Sequence, residues 1–287
     1  MRVCCLLWLW LFAVSVVHAQ NLSAETDFLD VSIQVFTHRE PPAVVAPTAA
    51  PTSATREPVE AVRLAETRYL PMYLRYRLEQ SGSFGAVRVL PIIDNGAELR
   101  VSGEVVRSNG DLLELAIKAQ DSTGRVWLDR VFTGTAVASE SLNDDALAED
   151  PFAQLFADIV RELQQQATQL TPQEIERIKA VALLRYGFAL VPAAFTPYLE
   201  ESADGIVNLK RLPASDDPIL TRILNIRERE YLFVDVVDEE YRQFYDNVKP
   251  VYDLWRQYQR EQTDSSAART VRDLNAPSDF ARGSYRA

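Results

Sequence analysis

In two runs, Leu99–Val105 and Leu113–Ile117, residues recur at every second position against charged or polar neighbours, a spacing that argues an extended strand with one buried face. Leu99, Val101, Gly103 and Val105 alternate with charged or polar neighbours in AELRVSGEVVRS, and Leu113, Leu115 and Ile117 do so in DLLELAIKAQD. RVWLDRVFTGTA follows as a further strand, and AVRVLPII precedes them. SNGD at 108–111 and DSTG at 121–124 separate these runs, and Asn and Gly accept the positive φ that tight hairpins need. Consecutive hairpins of this kind specify an antiparallel meander, apolar on one face, which a helix must cover.

Helical spacing brackets the meander. Val62, Leu70, Leu74 and Leu78 share one stripe of a helix expected over Val59–Gln80, which Pro71 should kink or split. After the meander, DPFAQLFADIVRELQQQATQL repeats the pattern through Phe152, Leu155, Ile159 and Leu163, with Asp150 as N-cap and Pro151 in the first turn. Ahead of both, FLDVSIQVFTH alternates as a strand, followed by the Pro/Ala/Thr-rich REPPAVVAPTAAPTSATREP. So long an unpatterned stretch is unusual inside a compact domain, so the strand either returns to a sheet after a long excursion or serves an assembly partner.

The second half carries almost no strand signal. TPQEIERIKAVALLRYGFALVP has Thr171 as N-cap, Pro172 next and Glu174 three residues on, a capping box, and Pro192 ends the helix. AAFTPYLEE reads as a short helix ending near Gly205, and the chain after Gln262 loses periodicity and is expected to be disordered.

The run DDPILTRILNIRERE concentrates charge at 216–230. As a helix it needs no special function. Ser215 or Asp217 can cap its first turn and Pro218 suits its start, Ile219, Leu220, Ile223, Leu224 and Ile226 make its buried side, and Arg222, Arg227 and Arg229 lie toward its negative end. Adjacent aspartates in one cap do not face each other across a substrate, so an acid–base pair there is the weaker reading. Burial of Arg227 or Arg229 would reopen it.

Just downstream, Tyr241, Tyr245, Val248, Tyr252 and Trp255 recur at steps of four and three on a helix expected over about 237–262, which Pro250 should bend. Two destinations suit this aromatic stripe. It packs against the helices at 172–190 and 218–230 as a second core, or it forms a docking surface. Tyr and Trp are favoured at interfaces, as is Arg, which makes Tyr241, Tyr245, Tyr252, Trp255, Arg227 and Arg229 the candidate partner-binding residues.

MRVCCLLWLWLFAVSVVHAQ reads as a secretory leader: Arg2, an apolar run too short to span a bilayer, and small residues placing cleavage between Ala19 and Gln20. Both cysteines, Cys4 and Cys5, lie within it, so the exported chain has no thiol for disulfides, nucleophilic catalysis or metal binding. No later segment is apolar enough to cross a membrane. The formal net charge of −11 argues against nucleic acid. His38 is the sole histidine after the leader, read as an exposed strand-end residue; unless it folds back, histidine-based triads and two-histidine zinc sites have no raw material. No cofactor or metal motif is present, and only a carboxylate mechanism retains the residues it needs.

The segments LRYRLEQSGSFGAVRVLP, ELRVSGEVVRSNGDLLELAIKAQDSTGRVW and DPFAQLFADIVREL, within 58–166, resemble modules of the TolB amino-terminal type. The whole chain, especially RLPASDDPILTRILNIREREYLFVD, also resembles exported Gram-negative envelope proteins without an assigned activity. Helices, not propeller repeats, follow the module, so TolB partners do not carry across. The resemblance implies an envelope location and a binding role.

The expectation is therefore an α+β protein, a small antiparallel sheet flanked by helices and followed by an all-α domain. The segments are a signal peptide (1–19), an N-terminal strand (20–38), a linker (39–57), an α+β TolB-like domain (58–170), a helical domain (171–262) and a tail (263–287). Its function is expected to be that of a non-enzymatic periplasmic or secreted scaffold. It would dock envelope proteins or a second copy, with no cofactor, metal or nucleic acid. The rival expectation is a carboxylate-dependent hydrolase of cell-wall glycan or peptide.

Overall fold

A computed structural model describes residues 28–39, 53–136 and 150–275. The leader, most of the linker and residues 276–287 lie outside the described residues. The protein is α+β. Strands β1 (Val31–Gln34) and β2 (Thr37–His38) precede helix α1 (Ser53–Ser81), and β3 (Val87–Leu90), β4 (Leu99–Ser108), β5 (Leu112–Asp121) and β6 (Val126–Thr135) follow it. Then come α2 (Ala153–Ala167), α3 (Pro172–Leu190), the short α4 (Pro192–Phe195), β7 (Leu199–Glu201), β8 (Val207–Leu209) and α5 (Pro218–Asn275).

The hairpin readings are borne out: β4, β5 and β6 form an antiparallel meander. The sheet as a whole is mixed, because β1 enters its middle, parallel to β3 on one side and to β4 on the other, in the order β3-β1-β4-β5-β6. The N-terminal strand thus joins this chain's own sheet after its excursion. Val31, Ser32 and Ile33 are all buried, as a central parallel strand requires.

Helix α1 lies over the apolar face, and it runs without interruption through Pro71, where a kink or a split was expected. The reason is local. Pro71 has no N–H for the carbonyl of Thr67, four residues back, and that carbonyl instead accepts the N–H of Phe36 at 2.9 Å. The helix defect thereby becomes the bond that holds the end of β1. Helix α2 packs beside α1, Phe156 meeting Tyr73 edge to face at 4.8 Å. Asp150, expected as the N-cap of α2, instead accepts from Phe152 N–H at 2.9 Å in a turn ahead of the helix, whose N-cap is Phe152, while the Thr171–Glu174 capping box closes in both directions.

Three expectations for the second half are corrected. First, 199–209 is a small antiparallel hairpin, not a helix end. It is seated on the β5–β6 turn, where Val207 N–H reaches Thr123 O at 2.7 Å and Gly124 (φ +89°) lies against the Gly205 carbonyl. Gly124→Ala would combine a strained φ with a collision against backbone, and is expected to cost about 1–3 kcal/mol in urea unfolding. Second, the two helices expected at 216–230 and 237–262 are one helix of 58 residues. Pro250 does not end it. Its position is exposed, so water can satisfy the carbonyl that proline leaves free. The helix also continues to Asn275, into the segment expected to be a disordered tail. Third, α5 does not build a separate core with α3. Apart from a small cluster of Leu184, Tyr186, Phe195 and Ile223, its inward residues complete the main core over α1.

Candidate functional site

Helix α5 carries two stripes, and the structure treats them differently. The inward one is Arg227, Tyr231, Val234, Asp238, Tyr241, Tyr245, Val248, Tyr252 and Trp255, at alternating steps of four and three. That spacing keeps one face turned toward a neighbour over many turns. The neighbour is α1 and the exposed edge of β3. Tyr69 on α1, fully buried, stacks on Tyr245 at 4.7 Å and meets Tyr252 at 4.6 Å, and Tyr252 stacks on Trp255 at 5.7 Å. Pairs of this kind contribute roughly 0.5–1.5 kcal/mol each beyond their buried area.

Two buried polar clamps fix this contact. At the C-terminal clamp Arg256, 1 % exposed, binds Asp150 at 2.7 Å and donates to Tyr252 Oη at 3.1 Å, its guanidinium lying over the Tyr252, Phe152 and Tyr69 rings. Burial alone would lower the Arg256 pKa, but Tyr252 and Asp150 hold it well above the usual arginine value. Tyr252 donates onward to Glu66 Oε1 at 2.6 Å, which also accepts from Ser108 Oγ. Burial pushes the Tyr252 phenol far up, so it stays a proton donor. His38 folds in beside Glu66, Nε2 to Oε2 at 3.4 Å, and is not the exposed strand-end residue expected. Asp150, in the turn ahead of α2, therefore also anchors α5 at Arg256.

At the other clamp Asp238 Oδ1 accepts the Val89 N–H at 2.9 Å and Oδ2 meets Arg75 at 2.7 Å. Beside it Arg88 binds Asp235 at 2.9 Å. These contacts cover the edge strand β3, a common protection against unwanted strand pairing. Burial, opposed by Val89 N–H and Arg75, raises the Asp238 carboxyl above its ordinary value.

Arg227 is half-buried, donating to Gly96 O and Tyr231 Oη at 2.7 Å each beside a small cleft lined by Glu98, Asp94 and Asp30. Burial raises the Glu98 carboxyl, although it accepts the Asp30 N–H. An acid whose native pKa lies above its unfolded value detracts from stability as pH rises through the ordinary carboxylate range, and the loss is complete above the raised value. Glu98→Gln, which can still accept from Asp30, should therefore gain more against the parent at pH 7 than at pH 4 when melting temperatures are compared.

The outward stripe is the unexpected one. Phe233, Val236 and Leu254 lie two residues on from Tyr231, Val234 and Tyr252, about 200° around the helix, and Ile226, Val251 and Tyr258 lie along their flank. They are exposed, Phe233 by 73 %, Val251 by 69 % and Leu254 by 66 %, and Leu232 beside them by 68 %. The candidate residues thus divide. Tyr241, Tyr245, Tyr252 and Trp255 pack within the chain, Arg227 faces its cleft, and Arg229 alone is exposed, on the outward side. Sequence reading missed the outward stripe because Glu240, Gln243 and Asn247 interrupt it, although its steps of three and four were visible.

The sheet's other face is open and polar. A groove of about 300 Å³ there is lined by Thr37, Gly103, Glu104, Lys118 and Asp129. Arg39 holds Glu104 bidentately and lowers its pKa, and Lys118 pairs with Asp129 at 3.5 Å. Among the described residues no helix is long and apolar enough to cross a membrane.

No family model and no curated protein matches the chain. Among solved structures, a PelC dodecamer from Paraburkholderia phytofirmans aligns at 16 % identity over 48 % of this chain and 90 % of that one, with a TM-score of 0.28. The hypothetical protein CT253 from Chlamydia trachomatis aligns at 12 % identity over 49 % and 98 %, with a TM-score of 0.27. Neither likeness is close enough to assign a role.

Proposed function

We propose that the protein is a non-enzymatic component of the bacterial envelope, exported by its leader to the periplasm, that docks protein partners along the outward face of α5. The observation that carries this is the exposure of Leu232, Phe233, Val236, Val251 and Leu254 on a helix whose opposite face is fixed to the core. Exposed apolar patches on a folded chain mark interaction sites, and a rigid helix presents its anchors without an ordering cost. A straight face of this shape fits an amphipathic helix laid alongside it. The hydrolase reading gains nothing from the open groove, where Glu104 and Asp129 are each paired with a cation instead of facing a shared space.

The test is photo-crosslinking in intact cells, with a photoreactive residue at Phe233 or Leu254 and a control at Gln165, exposed on α2. Discrete adducts at the two α5 positions and none at the control are expected. Adducts at the control alone, or none at all, would overturn the docking role.

A further inference from the structure

We propose that the outward face of α5 is occupied by a second copy of this chain, the two helices running antiparallel about a two-fold axis near residues 241–242. This rests on the docking reading of that face and names its occupant.

The order of residues on the face is what points to self-pairing. Ile226 and Phe233 lie on one side of a polar centre, Glu240, Gln243 and Asn247, and Tyr258 and Val251 lie on the other at matching distances from residue 242, while Val236 comes opposite Asn247. Reversing the second helix sets Phe233 over Val251, Ile226 over Tyr258 and Arg229 beside Leu254, along which its aliphatic stem can lie. Glu240 then faces Gln243. A parallel pair in register would instead press Glu240 on Glu240 and Arg229 on Arg229, and like charges brought together out of water oppose association. The polar centre fixes direction and register, as isolated polar residues do in helical seams.

Size agrees with this. The face from 226 to 258 runs about 50 Å along the helix. The exposed surface of its apolar side chains together with Leu232 and Val237 is on the order of the ~800 Å² per partner that a stable interface buries. A two-fold axis uses the same patch twice and closes, so the contact does not propagate beyond a pair.

The test uses the absence of cysteine after the leader. The full chain is expressed with its leader and purified as Gln243→Cys, Phe233→Cys and Val251→Cys variants, then oxidised. Gln243→Cys, near the axis, should form a covalent dimer with itself. Phe233→Cys should not, but should join Val251→Cys when the two are mixed. Sedimentation of the parent at about 100 µM should give the dimer mass, and Phe233→Glu with Leu254→Glu should give the monomer mass, with a melting temperature equal to the parent's when both are measured at a concentration where the parent is monomeric. Self-linking of Phe233→Cys would overturn the antiparallel arrangement. A monomer at that concentration with no disulfide in any variant would overturn the second copy as occupant. In that case adducts to a different protein at position 233 in cells would leave the docking role standing, and their absence would remove both.

Discussion

Replacing Arg256 with alanine is expected to destabilise the protein by about 3–5 kcal/mol, the cost of leaving a buried charge without its partner. Arg256 and Asp150 are each about 1 % exposed at their side chains, so neither finds water when the other is removed. The loss spreads further, since the guanidinium also orients Tyr252, which links α5 to Glu66 and Ser108. Arg256→Met combined with Asp150→Asn should be milder than the sum of the single changes, because the two are coupled and no lone charge remains. Urea unfolding followed by circular dichroism measures this; a single-variant cost below about 1 kcal/mol would show that the clamp is not formed.

Asp238→Ala is the second large effect, at about 3 kcal/mol or more, since it strands Arg75 and removes the acceptor of Val89 N–H. Glu79, which binds Arg75 at 2.9 Å from a more exposed position, keeps the cost from rising further. Asp238→Asn separates the two contributions: it can still accept from Val89 but no longer neutralises Arg75. Amide exchange at Val89, read by NMR, should speed up strongly in the alanine variant and modestly in the asparagine one. Equal acceleration in both would mean that the ion pair, not the edge cap, holds β3.

What could be read from the sequence was local. The Asn-Gly and Thr-Gly turns, the alternation of β4 and β5 and the Thr171–Glu174 box are each decided by residues within a few positions of one another, and each appears in the structure. The placement of β1 was not decided that way. A parallel strand carries no turn to betray its partner, and its pairing with Leu99 is fixed across a long loop and a helix. Both prolines misled for one reason: a helix tolerates a missing N–H when something else satisfies the freed carbonyl, whether Phe36 for Pro71 or solvent at Pro250. β7 and β8, at three residues each, are too short to display a period. Of the site, the aromatic stripe on α5 was legible as a face but not as to which neighbour receives it. Tyr69 takes the place of a partner, and the surface left for docking is the stripe behind it.

Helix α5 is bound to the core by one face while the other stays open, and hydrogen exchange measured at a concentration where the chain is monomeric tests this most directly. Amides from Arg227 to Arg256 should exchange as slowly as those of α1 and lose protection together with them as denaturant is added. Fast exchange along α5 with α1 still protected would contradict it, because the helix would then stand free and both of its faces would be open.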